Sequence, residues 1–156
     1  MISFSAYFRS LKEKMVKDPL PPEDVAGGWA LGMFIGCAIP FGLQLIISIP
    51  LAFMLRVSKI GATVGTLITN PISIWFIYPA QTMFMNWLLR RGMTWSDVRE
   101  AMAEVARNGD WNTLLGLSGE GIICFLLGGI FLALIMSPLT YFVVKSIVIH
   151  HRMNKE

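Results

Sequence analysis

Charged residues avoid three long runs of this chain. All 13 Lys/Arg and all 10 Asp/Glu lie outside 25–55, 60–89 and 121–144. Each run exceeds the roughly 20 apolar residues that cross a bilayer, so the pattern predicts an all-α integral membrane protein. Ahead of the first run, Phe4, Tyr7, Phe8, Leu11 and Met15 recur at helical spacing, with Arg9, Lys12, Lys14 and Lys17 on the other side. That is a basic amphipathic helix suited to the headgroup layer or to packing on another domain. Asp18, followed by Pro19, Leu20, Pro21 and Pro22, stops it.

The first two runs carry their own breaks. Pro40, Pro71 and Pro79 each remove a backbone donor inside an apolar helix. In hydrocarbon the freed groups need protein, water or a ligand beside them. The segment Asn70-Pro71-Ile72-Ser73 is the focus, because an Asn amide facing lipid would be left unpaired. The half-run 25–39 holds 15 residues, about 22 Å of helix against a hydrocarbon core of roughly 30 Å. Two arrangements fit: re-entrant hairpins that turn inside the bilayer, or one broken and tilted span per unit. Basic residues at every end favour hairpins with those ends cytoplasmic. An offset of 29 positions superposes Gly32 on Gly61, Gly36 on Gly65, Pro50 on Pro79 and Met54 on Met83, a faint mark of a duplicated interrupted unit.

Beyond the second run, Thr94, Ser96 and Asp97 supply helix-start chemistry, and Val98, Ala101, Met102 and Val105 form an apolar stripe ending at Asn108 and Gly109. Asp97, Glu100 and Glu104 interleave with Arg99 and Arg107, a solvated face rather than a metal site. Gly119 and Glu120 open the last run, which Gly128, Gly129 and Pro138 interrupt gently. The organisation expected is therefore an interfacial helix and linker at 1–24, an interrupted-helix membrane core at 25–92, an amphipathic surface helix at 93–117, and a final transmembrane helix with a basic tail at 118–156.

Composition sharpens this picture in few places. Of 156 residues, 54% are hydrophobic and 15% charged, far more apolar than a soluble domain. A pI near 9.1 could indicate nucleic acid, but the basic residues sit at the edges of apolar runs, so membrane lipid is the expected partner and nucleic acid is not. The amphipathic N-terminus does not resemble a cleavable signal peptide. Cys37 and Cys124 read as reduced packing residues, and Gly28, Gly32 and Gly36 as a ridge for close helix approach. No Asp, Glu or His lies within the runs, which argues against a proton relay. No Ser/His/Asp, Cys/His or paired-carboxylate set is visible, so neither an enzyme nor a bound cofactor or metal is expected.

The candidate binding residues are Pro40, Gln44, Thr66, Asn70, Pro71 and Ser73 at the interruptions, with Arg56, Lys59, Arg90 and Arg91 attracting a phosphate from the interface. The plainer reading has Gln44, Thr66 and Ser73 only satisfying broken backbone. Two functions follow: a protein that binds, and in one form translocates, an anionic lipid or small solute, or a noncatalytic scaffold for a larger envelope complex that holds a membrane protein partner.

The residues Ala26-Gly27-Gly28-Trp29-Ala30-Leu31-Gly32-Met33-Phe34-Ile35-Gly36, then Pro40, Gln44, Gly65-Thr66 and Asn70-Pro71-Ile72-Ser73, resemble the bacterial membrane family catalogued as domain of unknown function 2062. The chain differs in carrying Ser73 where Thr is commoner and Arg56-Val57-Ser58 where Arg-x-Asn is expected. The resemblance implies a protein of the bacterial inner membrane, and the apolar runs with basic residues at their ends predict that it is multi-pass with a cytoplasmic N-terminus. By analogy with members that resemble the membrane half of proteins joined to glycosyltransferases using polyprenyl-phosphate lipids, it adds polyprenyl phosphate to the candidate lipids.

Overall fold

The computed structural model describes residues 4–40, 42–67, 73–108 and 119–154. These are helical with no strand among them: α1 Phe4–Lys17, α2 Pro22–Ala38, α3 Gln44–Met54, α4 Lys59–Thr66, α5 Ile74–Leu88, α6 Trp95–Asn108 and α7 Gly119–Met153.

Pro22 occupies the first turn of α2, where its missing N–H costs nothing, and Glu23 and Asp24 follow it there. The helix stops at Ile39, before Pro40, because a residue preceding proline is driven to extended backbone, here φ −113° and ψ 136°. The chain then reverses. α3 runs back until the Ser58 amide donates to the Asp24 carbonyl at 3.0 Å, near where α2 began. α2 and α3 thus form a helical hairpin.

α4 leaves this base alongside α2, and the two backbones nearly touch. A Cβ on Gly28 would lie 2.2 Å from the Ser58 carbonyl oxygen, and one on Gly32 2.3 Å from that of Ala62. Gly61 and Gly65 face Trp29 and Gly32 from the other side. Gly28 and Gly32 of the glycine ridge therefore pack as expected, Gly32 against Ala62 and Gly65.

Two expected interruptions do not occur. α5 continues through Pro79, which is buried in the helix, and α7 continues through Gly128, Gly129 and Pro138. One proline removes a single bond from a helix of fifteen residues or more, which packing can offset. In α7 the glycines are contact points: a Cβ on Gly128 would meet the Gln81 carbonyl at 2.3 Å, and one on Gly129 that of Cys37 at 2.6 Å.

α7 is the spine. It packs against α2 and α5, burying Val144 and Val148 with Val25, Ala26, Trp29 and Val64, and Ala133 with Met33, Cys37 and Ala38. Leu11 and Met15 of α1 pack on the first cluster, so this part of the α1 apolar stripe is covered by the chain itself. Among the described residues α7 alone is long and apolar enough to cross a membrane: within Gly121–Met153 a window of 18 residues has mean hydropathy 2.5. That points to membrane association. α6 begins as expected: the Thr94 amide donates to Asp97 at 2.7 Å and the Thr94 hydroxyl accepts from the Asp97 amide at 3.4 Å, a reciprocal cap. The Thr94 amide, and then its hydroxyl, hold the Asp97 carboxyl below the usual carboxylate range.

Candidate functional site

The polar side chains expected at the interruptions fall at two levels of the hairpin. Near its tip, Gln44 is buried, and its Nε2 donates to the carbonyls of Gly36 at 3.0 Å and Ile39 at 2.9 Å. These belong to the last turn of α2 and its cap, where carbonyls lack helical partners. Gln44 thus closes the end its neighbour Pro40 creates. Thr66, buried at the end of α4, donates through Oγ1 to the Thr63 carbonyl at 2.7 Å. Ser73 is the N-cap residue of α5, its backbone carbonyl accepting from Phe76 at 3.0 Å and Ile77 at 2.9 Å. Asn70 and Pro71 lie outside the described residues.

Arg56 and Lys59 stand at the other level, the base. Val57 beside them packs on Gly27, whereas Gln44 reaches Gly36. Gly36 lies nine positions beyond Gly27 on α2, roughly 14 Å of rise. The structure therefore does not gather the expected set into one site: Pro40 and Gln44 share the tip, and Arg56 and Lys59 share the base. Lys59 Nζ lies 4.0 Å over the Phe53 ring. Arg56 has φ 57°, and Arg90, 34 positions later, has φ 52°. Both sit one residue past a helix cap. Val57 N donates to Ala52 O at 3.1 Å, and Arg91 N to Asn86 O at 2.9 Å. This is the same C-terminal motif at the ends of α3 and α5, with arginine where glycine is usual.

Sequence reasoning missed a polar node at the base. Ser58 caps α4, accepting from Gly61 N at 2.8 Å, while its hydroxyl donates to the buried carboxylate of Asp18. Asp18 Oδ1 also accepts from Leu20 N at 3.2 Å. From the far end of α7, Arg152 donates to the carbonyls of Asp18 at 2.7 Å and Leu20 at 2.9 Å. The Asx-Pro pattern at Asp18 and a serine just before Lys59 were the available signals; nothing local announces Arg152. Ser58 replacing the family's Asn keeps an N-cap, since both residues serve there.

Among the described residues two buried polar atoms have no hydrogen-bond partner: Ser48 Oγ on α3 and Gln81 Oε1 on α5. Gln81 also lines a 450 Å³ apolar groove between α5 and α7 with Phe84, Phe131 and Leu132, and its Nε2 donates to the Phe125 carbonyl at 3.3 Å. Among the described residues no group of three His, Cys, Asp or Glu could hold a metal.

A model of the family described as "Uncharacterized protein conserved in bacteria" matches residues 5–156. No curated protein and no solved structure matches the chain significantly.

Proposed function

The chain belongs to the bacterial family domain of unknown function 2062, and from that membership and the geometry above we propose that it is an inner-membrane protein that binds an anionic lipid between its helices. The observation that carries this reading is two buried polar atoms without a partner among the described residues, Ser48 Oγ and Gln81 Oε1: the Ser48 hydroxyl can donate to a phosphate oxygen, and the Gln81 amide oxygen can accept from a headgroup hydroxyl. An unpaired buried polar group costs about 1–3 kcal/mol, and a polar ligand atom brought among the helices offsets that cost. Gln44 and Thr66 already serve the backbone, so their part is to satisfy the helix ends rather than to read the headgroup. Translocation is the activity such a path would serve.

The orientation follows the same reading. The linker at Asp18, the turn at Arg56 and Lys59 and the end of α7 at Arg152 meet at one node, so their basic residues share a side. By the positive-inside tendency that side is cytoplasmic, and α2 with α3 is a re-entrant hairpin entered from it.

Native mass spectrometry of gently extracted protein tests the proposal. The wild type is expected to retain phospholipid or polyprenyl phosphate, and the double variant Ser48→Ala/Gln81→Leu to lose it while melting no lower. Lipid retained equally by both removes the interior site, and a co-purifying protein without lipid replaces the reading with a scaffold.

A further inference from the structure

A second concave feature lies at the end of α5. It is a cleft of about 590 Å³ lined by Met83, Asn86, Trp87, Leu88, Arg90 and Arg91, a size within the usual range for small-ligand sites. Its chemistry is divided. Met83, Trp87 and Leu88 give an apolar wall, and two adjacent guanidinium groups give a cationic one. Asn86 is spent on the floor: its Nδ2 donates to the Met93 carbonyl at 2.9 Å, and its Oδ1 accepts from the Met93 amide at 3.2 Å. The turn after α5 is thereby held shut, and Arg90 and Arg91 are fixed at its corner.

The backbone at that corner is the informative part. Arg90 holds φ 52°, a left-handed conformation that glycine adopts without steric cost and that a residue with a Cβ resists. Glycine there would make the better cap. Strain of this kind at an arginine points to a use for the side chain. Among the described residues no carboxylate pairs with Arg90. Guanidinium groups recognise phosphate by paired, charge-assisted hydrogen bonds, and the helix C-terminus beneath them favours cations being held there. The occupant must also tolerate exposed Trp87, 73% accessible, and Leu88 in the cleft wall. Tryptophan and arginine at the end of an apolar helix are the residues of a headgroup layer, so free phosphate or an acidic peptide leaves the apolar half unused.

We infer that the cleft formed by Arg90, Arg91 and Trp87 at the end of α5 binds the phosphate of a membrane lipid headgroup. The inference rests on the lipid-binding reading above and adds a headgroup site to it.

The test uses the full chain in neutral detergent, titrated with phosphatidylglycerol and, separately, with diacylglycerol, which lacks the phosphate, while native mass spectrometry counts bound lipid. Phosphatidylglycerol is expected to bind and diacylglycerol not. Arg90→Gly should weaken that binding about tenfold while the melting temperature stays level or rises. Arg91→Gln should also weaken it, whereas Arg99→Gln, an equal charge loss on the exposed face of α6, should not. Displacement of the lipid by millimolar inorganic phosphate with no preference for phosphatidylglycerol over diacylglycerol overturns the lipid assignment. Wild-type affinity in both Arg90→Gly and Arg91→Gln overturns the cleft, leaving the interior reading intact if Ser48→Ala/Gln81→Leu still loses lipid. Loss confined to an Arg90→Gly protein that melts lower overturns the cleft as well. A wild type that binds no lipid overturns both.

Discussion

Ser58 and Arg56 stand two residues apart and carry opposite relations to stability. Ser58 is fully buried and serves two partners at once, the Gly61 amide of its own helix and the Asp18 carboxylate of the preceding linker. Arg56 occupies a left-handed cap position that its side chain makes costlier than glycine would. Removing the hydroxyl leaves a buried carboxylate oxygen short of a donor and a helix without its cap. Ser58→Ala is accordingly expected to destabilise the protein by about 1–3 kcal/mol, and Arg56→Gly to stabilise it by up to roughly 1 kcal/mol. Thermal melts in one detergent check the pair, and a fall in melting temperature for Arg56→Gly would show that its side chain braces the turn.

At the scale of elements, the contact between α2 and α4 decides whether the base holds. Glycine at 28 and 32 lets two helix backbones meet where any side chain would strike carbonyl oxygen, and carbonyls in a helix cannot yield as a flexible side chain does. Gly28→Ala should therefore cost about 1–3 kcal/mol and push Ser58 off its partners. Gly92→Ala, with open space around it, should be neutral within about 0.5 kcal/mol. Hydrogen exchange at the Gly61 amide reads the difference, with faster exchange expected only in the first variant. Equal protection in both would mean that α2 and α4 can separate freely. The ends of these elements were legible in sequence where a cap or a proline set them, as at Pro22, Pro40, Thr94 and Asp97. Pro79 and Pro138 misled, because whether a proline breaks a helix depends on the packing around it, which spacing does not record.

For the whole molecule, Arg152 ties the last turn of α7 to the segment between α1 and α2, residues more than 130 positions apart. Together with the Lys145–Glu23 ion pair at 3.1 Å, it clamps the spine helix to the start of the hairpin. Arg152→Ala removes two charge-assisted hydrogen bonds from a half-buried site and is expected to cost about 1–3 kcal/mol. Limited proteolysis should then cut near Pro19 to Pro21, where the wild type resists. An unchanged cleavage pattern would mean that packing of Leu11, Met15 and Leu20 alone holds the linker.

The sequence by itself determined that this is a helical, membrane-associated chain of a bacterial family, broken at Pro40 and capped at Thr94, because charge placement, proline chemistry and capping act over a few residues. Which polar groups find partners was decided only in three dimensions. Gln44 turned inward onto the end of α2, Arg56 and Lys59 came to rest a hairpin's depth away from it, and Arg90 was turned into a cleft with Arg91 and Trp87. The first and third depend on how the chain turns at the end of a helix, and the second on how α4 meets α2 through glycine contacts; in each case the two halves of the contact are joined by backbone geometry that residue spacing does not record.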